Sequence, residues 1–544
     1  MKEVLTAAEV KRREQFTIEQ LGIPSVVLME RAALFVCSLI PSDAPKQIFI
    51  ISSYGNNGAD GLAAARILAG RGHSVDVLMI GDSAKSTAEN KLQHHILTGL
   101  SRLSTGNPHN LTIYEEICQW KKDAALNDRR YDVIVDALFG IGLNRELQGD
   151  YLEAVRLMNR LHKEQNNLLL SVDLPSGLHA DSGSVLGDAV RADVTATFQW
   201  QKTGMLLGKG PKYCGEIRIG EIDLYDEVIS GEEAKECRSL QEYMAGYLVE
   251  EKDIRRLPKR LPTGNKGTFG KMLCITGSET MAGAMILSTK AAFRSGIGMV
   301  RVISHKDNRD ILLSAVPEAM FDHWDTLLEE KNGEIEINEP LLQRYFDWSS
   351  ILLIGCGLSE CNRTEKLTEY VMRHYEKTIV ADGDALNLLS RHMEWLKLRK
   401  ENGYQTIVTP HPVEFARLCG LKPEEQKHKD PDFCRKWADK HGCILVAKDA
   451  LTIITDGKKV YFSNSGSDAL ATAGSGDVLA GMVAAFAAMG QNNQEVSDLL
   501  LQSAMAAYVH GKAGIYAAKE YNHYSVKAGD LPDMIPKVFQ KGGI

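Results

Sequence analysis

The sequence predicts an α/β protein of two domains, the first of them a doubly wound parallel sheet. The chain has 544 residues, more than a single hydrophobic core supports. Short apolar runs alternate with helical patterns along both halves, which is the βαβ rhythm of parallel sheets. The acidic stretch 226–250 has no strong strand pattern and interrupts that rhythm. We therefore predict one domain over residues 1–225, a linker over 226–250 and a second α/β domain over 251–544.

The elements of the first domain follow from its apolar runs and the residues that break them. Helical patterns fill 6–19 and 25–39, and Gly22-Ile23-Pro24 separates them. Apolar runs of the buried parallel-strand type come next, at 47–53, 74–80, 131–137, 168–173 and 193–199. Ligands of a doubly wound, Rossmann-like sheet bind beyond the carboxyl ends of its strands, so the residues after each run are the candidates for a site.

Polar residues follow most of these strands. The first strand ends in a glycine-rich turn that is neither a dinucleotide fingerprint nor a Walker A loop. The residues at the strand ends are Asn56, Asn57 and Asp60, then Asp136, then Asp173 and Ser176, and finally Gln199, Lys202 and Gly204. Asn57, Asp136 and Ser176 supply only hard oxygen donors, which suits an alkali or alkaline-earth cation and not zinc. A purely structural turn is the alternative for the asparagines, because they tolerate left-handed backbone geometry.

The second domain continues the alternation after a glycine-rich stretch at 262–270. Strands are predicted at 271–278, 298–304, 349–357, 378–384, 405–412, 443–449, 451–457 and 458–464, with a long helix at 286–298. Polar residues again mark the strand ends: Asp382 and Asp384, His411 and Glu414, and the link 448–452. Asp382 and Asp384 suit magnesium bound through water, with turn or cap positions as the alternative. His411 stands between two prolines that fix its backbone, which leaves a ligand contact and a structural role both open.

A glycine turn, Ala473-Gly474-Ser475-Gly476, opens directly into the apolar helix that starts the last part of the chain. Small residues let backbone N–H groups converge at a helix N-terminus, where the dipole and the unpaired donors favour an anion. Asp477 lies in the first turn of that helix, beside the anion position. A carboxylate there suits a base that deprotonates an acceptor hydroxyl while the turn holds a transferring phosphoryl group. The alternative is that Asp477 only caps the helix.

Composition excludes several classes of protein. A net charge of −8 argues against a general binder of nucleic acid or anionic membranes. None of the ten cysteines forms a C-x-x-C pair, so neither a zinc cluster nor a disulfide framework is predicted. The first residues are charged and amphipathic without the apolar core of a secretory signal, and the longest apolar run, 478–489, is too short to span a bilayer. We expect a cytoplasmic protein without nucleic-acid or membrane partners.

Five motifs, in order and split across the two domains, resemble those of fused NAD(P)H-hydrate repair enzymes. They are GNNGADG at 55–61, VDALFGIGL at 135–143, VDLPSGL at 172–178, TPHPVEF at 409–415 and GSGDVLAG at 474–481. The first half is similar to the NAD(P)H-hydrate epimerases and the second to the ADP/ATP-dependent NAD(P)H-hydrate dehydratases, which have a ribokinase-like fold. The resemblance covers nearly the whole chain.

The resemblance implies a set of binding residues in each half. In the first half, potassium is held by Asn57, Asp136 and Ser176, and the hydrate of NADH or NADPH is bound by Asn56, Asn57, Gly58, Ala59 and Asp60, by the loop Gly140, Ile141, Gly142, Leu143, Asn144, Arg145 and Glu146, and by Asp173 at the reacting ring. In the second half, the hydrate is bound by Ala284, Gly357, His411 and Asp477, and the adenine nucleotide by Lys448, Asp449, Ala450, Leu451, Thr452 and Gly476.

The sequence departs from the family pattern at four places. Ala59 replaces the second glycine of N-N-G-G-D, GCGLS at 355–359 replaces G-P-G-L-G, Ala473 stands where a glycine is frequent, and Met281 where an aromatic is common. None of these changes removes a proposed ligand side chain, so they bear on the detail of binding.

The implied chemistry is a phosphorylation that ends in elimination, with Asp477 as base, Mg²⁺ on the phosphates and ADP or ATP as donor. In the epimerase half, Asp173 is the expected acid/base group, with Lys202 as a weaker candidate contact. Fused proteins of this kind resemble bacterial forms, which tend to use ADP. We also expect a homo-oligomer. The alternative is a ribokinase-type vitamin or sugar kinase fused to a non-catalytic domain that binds a ligand or a partner.

Overall fold

The computed structural model describes residues 1–103, 111–226, 244–258, 260, 262–331, 334–491 and 498–544. The chain forms two compact units, an N-terminal unit of residues 3–245 and a C-terminal unit of residues 1–2 with 246–544. Residues 227–243 of the predicted linker lie outside the described residues. The described end of the linker contains a strand, Met244–Leu248, which we did not predict. Within the described residues, no helix combines the length and the apolar character that a membrane span needs.

The N-terminal unit alternates strands and helices. Its strands are β1 (Lys2–Leu5), β2 (Gln47–Ser53), β3 (Ser74–Ile80), β4 (Leu111–Tyr114), β5 (Val133–Ala137), β6 (Leu168–Val172), β7 (Val194–Phe198), β8 (Gln201–Lys202) and β9 (Glu216–Gly220). Its helices are α1 (Ala7–Gln15), which continues as a π-helical turn over Phe16–Gln20, α2 (Ser25–Ser38), α3 (Asn56–Gly70), α4 (Ala88–Leu103), α5 (Ile117–Asn127), α6 (Gly149–Gln165) and α7 (Gly210–Tyr213). All five predicted strands are confirmed, and β2 and β3 have the predicted bounds.

The main sheet of this unit is parallel throughout, with strand order β4-β3-β2-β5-β6-β7-β9. Successive side chains of β2 enter opposite cores: Ile48 and Ile50 pack with α2 and α3, and Phe49 and Ile51 pack with α6. Strand order reverses between β2 and β5, because β3 follows β2 on one side while β5 lies on the other. Such a switch point opens a crevice beyond the strand ends, and α3 and the loop after β5 both begin there.

The C-terminal unit has a longer sheet. Its strands are β10 (Met244–Leu248), β11 (Lys271–Ile275), β12 (Met299–Ser304), β13 (Met320–His323), β14 (Leu328–Lys331), β15 (Glu334–Ile337), β16 (Ile351–Ile354), β17 (Thr378–Ala381), β18 (Thr406–Val408), β19 (Ile444–Ala447), β20 (Thr452–Thr455) and β21 (Val460–Ser463). Its helices are α8 (Ala282–Arg294), α9 (Asn308–Ala315), α10 (Glu339–Trp348), α11 (Asn362–His374), α12 (Asp384–Arg391), α13 (Met393–Glu401), α14 (Pro412–Cys419), α15 (Pro431–His441), α16 (Ser475–Gln491), α17 (Leu499–Tyr521) and α18 (Leu531–Gly542).

Strand order in this unit is β13-β12-β11-β16-β17-β18-β19-β20-β21-β10, with β14 and β15 as a separate antiparallel pair. The strands from β13 to β19 run parallel, and β20 is antiparallel to both of its neighbours. The switch point lies between β11 and β16. Apolar side chains of α16, from Val478 to Met489, fill the core against the sheet. The buried body of α16 therefore fixes the position of its N-terminal turn at the rim of the sheet.

Candidate active sites

A cavity of about 620 Å³ lies at the carboxyl ends of the strands in the N-terminal unit. Its walls include most of the residues predicted to bind the hydrate in this half: Asn56, Asn57, Ala59, Asp60, Gly140, Ile141, Gly142, Leu143, Arg145 and Asp173. Gly58 instead packs against β2, where an added Cβ would lie 1.8 Å from the Ser53 carbonyl oxygen. Asn144 and Glu146, in the loop after β5, are not part of the cavity wall.

Asp173 holds a fixed position at the end of β6. Its backbone has φ of +64°, an uncommon conformation for a non-glycine residue, and its N–H donates to the Ala196 carbonyl at 2.8 Å. The carboxylate accepts from Lys202 Nζ at 2.6 Å and from the Ile141 backbone N–H at 3.2 Å. Lys202 is 1% exposed and also donates to Thr197 Oγ1 at 2.7 Å. The strained turn and the buried lysine thus hold the Asp173 carboxylate in a fixed position at the cavity wall.

The three predicted metal ligands lie under this cavity. Asp136 is fully buried, and its carboxylate accepts from Ser171 Oγ at 2.8 Å, Ser176 N at 2.8 Å and Ser176 Oγ at 2.6 Å. Burial raises the pKa of Asp136, whereas these hydrogen bonds lower it, and the effect of burial is the larger. Within the described residues every donor to Asp136 is neutral, and both polar atoms of the buried Asn57 amide have no partner. A buried carboxylate without a counter-charge and an unsatisfied amide are the features a bound monovalent cation would resolve.

Sequence reasoning missed several residues of the cavity wall. They are Val10, Lys11 and Glu14 of α1, Tyr54, Lys85, Phe139 and Tyr151. Glu14 is the chemically interesting one, because it brings another carboxyl group to the same space as Asp60 and Asp173. Burial raises the pKa of Glu14 and, more strongly, that of Asp60, and the charge of Asp173 adds to both shifts. The helix that carries Glu14 showed no signal beyond its amphipathic pattern.

The C-terminal site gathers around the first turn of α16. The Cys356 thiol and carboxylate oxygens of Asp382 and Asp477 lie within 4.8 Å of one another. Asp382, 3% exposed at the end of β17, accepts from Lys448 Nζ at 2.8 Å and from Thr409 Oγ1 at 2.6 Å. Asp477 has no ion pair with a described residue, although Lys448 lies close enough to lower its pKa. The lysine of this site is therefore bound to the neighbour of Asp477.

The electrostatics follow from that arrangement. Burial raises the pKa of Asp477 to about 7, and the negative charges of Asp382 and Asp384 contribute. Burial alone would lower the pKa of Lys448, but Asp382 and Glu414 outweigh it and the pKa is raised. Asp477 is thus the group of this cluster that exchanges a proton near neutral pH, which is what a general base requires. These shifts favour the base over the helix cap as the role of Asp477.

His411 begins α14 and is held by its own helix. Its Nδ1 accepts from the N–H groups of Val413 at 3.1 Å and Glu414 at 3.4 Å, while the Glu414 carboxylate accepts from the His411 backbone N–H at 2.8 Å. The other ring nitrogen lies 3.3 Å from Glu414 Oε1. Burial lowers the pKa of His411, and burial raises that of Glu414 to about 7. His411 is a helix cap, and its half-exposed ring still faces outward.

Three glycines fit the C-terminal site closely. An added Cβ at Gly357, whose φ is +59°, would lie 2.8 Å from Ala284 Cβ, so these two predicted substrate contacts adjoin. At Gly474, with φ of +92°, a Cβ would lie 2.4 Å from Leu287 of α8 and 3.9 Å from Asp477 Oδ2. At Gly476 it would lie 3.1 Å from Lys448 Nζ. Backbone at these positions approaches the cluster as closely as only glycine allows.

The predicted nucleotide-binding stretch forms the turn between β19 and β20. Lys448 points to Asp382, whereas the Asp449 carboxylate accepts from His428 at 3.0 Å, a bond that lowers the pKa of Asp449 to about 2. Ala450, Leu451 and Thr452 complete the turn, which Thr452 Oγ1 closes on the Asp449 carbonyl at 3.3 Å. A residue that we did not predict, the buried His510 of α17, lies 3.3 Å from Ser475 Oγ in the glycine turn.

Comparison with known proteins covers both units. A family model described as NAD(P)H-hydrate dehydratase matches residues 272–537, and one described as YjeF-related protein N-terminus matches residues 25–204. The bifunctional NAD(P)H-hydrate repair enzyme Nnr of Thermofilum pendens is 32% identical, over 99% of this chain and 96% of its own length. The Nnr enzyme of Moorella thermoacetica is 31% identical over the same shares, 99% and 96%. A crystal structure of ADP/ATP-dependent NAD(P)H-hydrate dehydratase from Bacillus subtilis, with ATP and Mg²⁺, is 23% identical, covers 55% of this chain and 99% of its own, and has a TM-score of 0.45.

Proposed function

This chain belongs to the family of bifunctional NAD(P)H-hydrate repair enzymes, and on that premise we propose how its two units divide the work. The N-terminal unit interconverts the R and S hydrates of NADH or NADPH. The C-terminal unit converts the S hydrate to NAD(P)H at the expense of an adenine nucleotide. The observation that carries the proposal is the pairing of two separate carboxylate–lysine sites with full-length similarity to bifunctional enzymes.

Dehydration needs a better leaving group than hydroxide. Asp477 accepts the proton of the C6 hydroxyl while the hydroxyl oxygen attacks the terminal phosphorus of the nucleotide. The nucleotide then leaves with one phosphate fewer. The ring nitrogen lone pair then expels phosphate from C6, and loss of a C5 proton gives the C5=C6 double bond of NAD(P)H. The N-terminus of α16 offers N–H groups to the transferring phosphoryl group. A pKa of about 7 makes Asp477 suited to the first of these proton transfers.

Residues of the nucleotide site have distinct tasks in this scheme. Lys448, beside Gly476, would hold the phosphates together with the turn through Asp449, Ala450, Leu451 and Thr452. Ala284, Gly357 and His411 would hold the hydrate. The carboxylate of Asp382 offers the hard oxygen donors that Mg²⁺ prefers, and the Cys356 thiol beside it does not, so magnesium would be held through Asp382, phosphate oxygens and water, which leaves Asp477 free to act as the base. Bound there, it would neutralise charge on the transferring group.

Epimerisation requires acid/base chemistry at the ring. We assign the base to Asp173, which Lys202 holds in place, with Asn56 to Asp60 and the 140–146 loop around the nucleotide. A potassium ion would be held by Asn57, Asp136 and Ser176. The unpaired Asn57 amide and the neutral partners of the buried Asp136 support that assignment. Bound there, the cation would supply the positive charge that the neutral partners of Asp136 do not.

The decisive experiment adds hydrated NADH, as a mixture of epimers, to the full chain with ADP or ATP and Mg²⁺. We expect the absorbance of the reduced ring to return for both epimers, with one nucleotide consumed per NADH formed. A kinase that yields a stable phosphorylated product would consume nucleotide without restoring the absorbance. Recovery that stops when the S epimer is spent would remove the epimerase assignment alone. Comparing ADP with ATP, and omitting K⁺, identifies the donor and tests the cation.

A further inference from the structure

The cavity of the N-terminal unit contains more carboxyl groups than the assigned chemistry uses. Glu14, Asp60, Asp82, Glu89 and Asp173 all line it, and two of these, Asp82 and Glu89, have partners of their own in the Ala84 N–H and the Ser25 hydroxyl. Both oxygens of Asp173 are engaged, one by Lys202 at 2.6 Å and the other by the Ile141 N–H at 3.2 Å. In the part of the chain that the structure describes, no hydrogen bond or ion pair engages the side chain of Glu14 or Asp60. Two carboxyl groups thus face the cavity without a structural task.

The fold brings Glu14 to Asp173 over a long stretch of sequence. Strand β1 pairs in parallel with β8, which sets Leu5 beside Lys202. Helix α1 starts at Ala7, and Val10 and Glu14, one turn apart, point into the cavity from the same helix face. The adjacent Arg13 points away, because it is bound by Glu3 at 2.8 Å and stacks over Trp200 at 4.7 Å. This anchoring of α1 fixes Glu14 near the Lys202–Asp173 pair.

We propose that Glu14 is a second catalytic residue of the epimerase unit, the general acid that acts together with Asp173; this rests on the function proposed above. Asp173 removes the proton of the C6 hydroxyl as the C6–N1 bond breaks, and the bond pair moves to N1. Glu14 donates its proton to N1, which leaves an aldehyde at C6 and a ring-opened enamine N–H. Rotation about C5–C6 turns the other aldehyde face to N1, and the reversed transfers close the ring and restore both carboxyl groups.

The charges around Glu14 support that role over the alternative, Asp60. Asp173 and Glu89 raise the pKa of Glu14 in addition to burial, whereas Lys202 and Lys11 oppose the rise. The pKa of Asp60 is raised further, by burial and by the charges of Asp173 and Glu14, and no cation opposes this rise. A general acid must both release and regain its proton, and the two lysines near Glu14 favour that release. Asp60 has no such cation nearby, so we assign it to binding and not to proton transfer.

The test follows interconversion of a single purified epimer by the full chain without nucleotide, so that dehydration does not consume the product. We expect Glu14→Gln to lower kcat about 100-fold or more, with KM within about threefold, because only the proton transfer is lost. The wild-type rate falls as rising pH removes the Glu14 proton, and this fall disappears from the residual rate of Glu14→Gln. Glu14→Asp recovers part of the rate. The matched control is Glu19→Gln, whose exposed carboxylate only accepts from Gln15 at 3.0 Å; its rate stays unchanged.

Several outcomes overturn the inference. An unchanged rate, a loss confined to KM, or a fall with rising pH that disappears in Asp60→Asn and persists in Glu14→Gln assigns the acid elsewhere. Hydrogen exchange of β6 and β7 in the same variants checks that the N-terminal unit has folded, and should Glu14→Gln fail to fold, the rate and pH profile of Glu14→Asp decide the question. A wild-type chain that does not interconvert the epimers refutes the proposed epimerase function itself, which distinguishes that failure from a failure of Glu14 alone.

Discussion

The two candidate sites are built from the same two groups, a carboxylate and a lysine, in opposite arrangements. In the N-terminal unit, Lys202 bonds directly to the proposed base, Asp173, at 2.6 Å. In the C-terminal unit, Lys448 bonds at 2.8 Å to Asp382, the neighbour of the proposed base Asp477. One base has its own counter-charge, and the other has a negative neighbour.

This difference separates two ways of preparing a carboxylate. An ion-paired carboxylate stays charged and oriented, at the cost of basicity, and suits a reversible reaction with a small driving force. A desolvated carboxylate beside another has a raised pKa, here about 7, and accepts a proton from a hydroxyl more strongly. The phosphorylation half needs the stronger base, because it must activate an alcohol toward phosphorus. The placement of one lysine therefore distinguishes the chemistry of the two units.

The largest effect is expected for Asp477→Asn, which removes the proton acceptor. Dehydration should fall about 10³-fold, while epimerisation by the same chain continues unchanged. Folding should not suffer. The raised pKa of Asp477 means that its stabilising, protonated state is complete below the unfolded pKa near 4 and is lost as pH rises through about 7. At pH 8 the asparagine variant should therefore melt no lower than wild type. Full dehydratase activity in this variant would end the assignment of Asp477 as base.

Lys202→Met tests the paired arrangement. Removing the cation leaves a buried, charged Asp173, so we expect a loss of about 3–5 kcal/mol in the stability of the N-terminal unit. Urea unfolding, followed by hydrogen exchange of the strands β6 and β7, measures that loss unit by unit. Lys209→Met is the control, since Lys209 is exposed in the same unit. Equal stability of the two variants would mean that the Lys202–Asp173 pair contributes little, and the contrast between the sites would then disappear.

Much of this fold could be predicted from the sequence, because apolar runs report the period of a buried strand locally. Strands β2 and β3 have their predicted ends, and the glycine turn before α16 is where its motif indicated. The start of α8 was wrong by four residues, since Ala282-Gly283-Ala284 carries no capping signal. Residue types at strand ends gave most of both sites. They did not give Glu14, or His510 beside Ser475, because nothing in the local pattern reports a contact made across the fold.

The partner of each lysine was equally out of reach, although both lysines were named. The sequence pointed to Lys448 as a contact of the nucleotide and to Lys202 as a contact of the ring. It did not indicate that Lys448 bonds to Asp382 or that Lys202 bonds to Asp173. Two lysines at strand ends look alike in a sequence. Which carboxylate each one meets depends on distances of a few ångströms between chain segments 29 and 66 residues apart. The contrast between the sites is thus a property of packing.

A smaller effect, with a close control, is expected from an added methyl group next to Asp173. A Cβ at Gly140 would lie 2.4 Å from Asp173 Oδ2, whereas a Cβ at Gly142, two residues on in the same loop, has nothing within 4 Å. Gly140→Ala should displace the oriented carboxylate and slow epimerisation about 10- to 100-fold. Gly142→Ala adds a methyl group that does not touch Asp173, so it should keep kcat within about twofold, and any effect on hydrate binding should appear in KM. Equal rates for the two variants would show that the carboxylate does not need its fixed position.

The smallest and most specific effect concerns the pH dependence of dehydration. The rate should fall as pH drops through about 7, because protonated Asp477 no longer accepts a proton. Lys448 lowers the pKa of Asp477, so Lys448→Met should move this fall to higher pH, by about half a unit to one unit. The measurement is kcat at saturating nucleotide, since Lys448 is also expected to hold the phosphates.

Lys397→Met, at a surface lysine 3.8 Å from Glu401, is the matched control and should leave the fall where it is. A shift to lower pH in Lys448→Met would mean that Asp382, once free of its lysine, takes up the proton in place of Asp477. The proton acceptor would then be the pair of carboxylates acting as one group, and the C-terminal site would resemble a shared-proton dyad more than a single desolvated base. The direction of one shift therefore decides whether Lys448 separates the two carboxylates or only partners one of them.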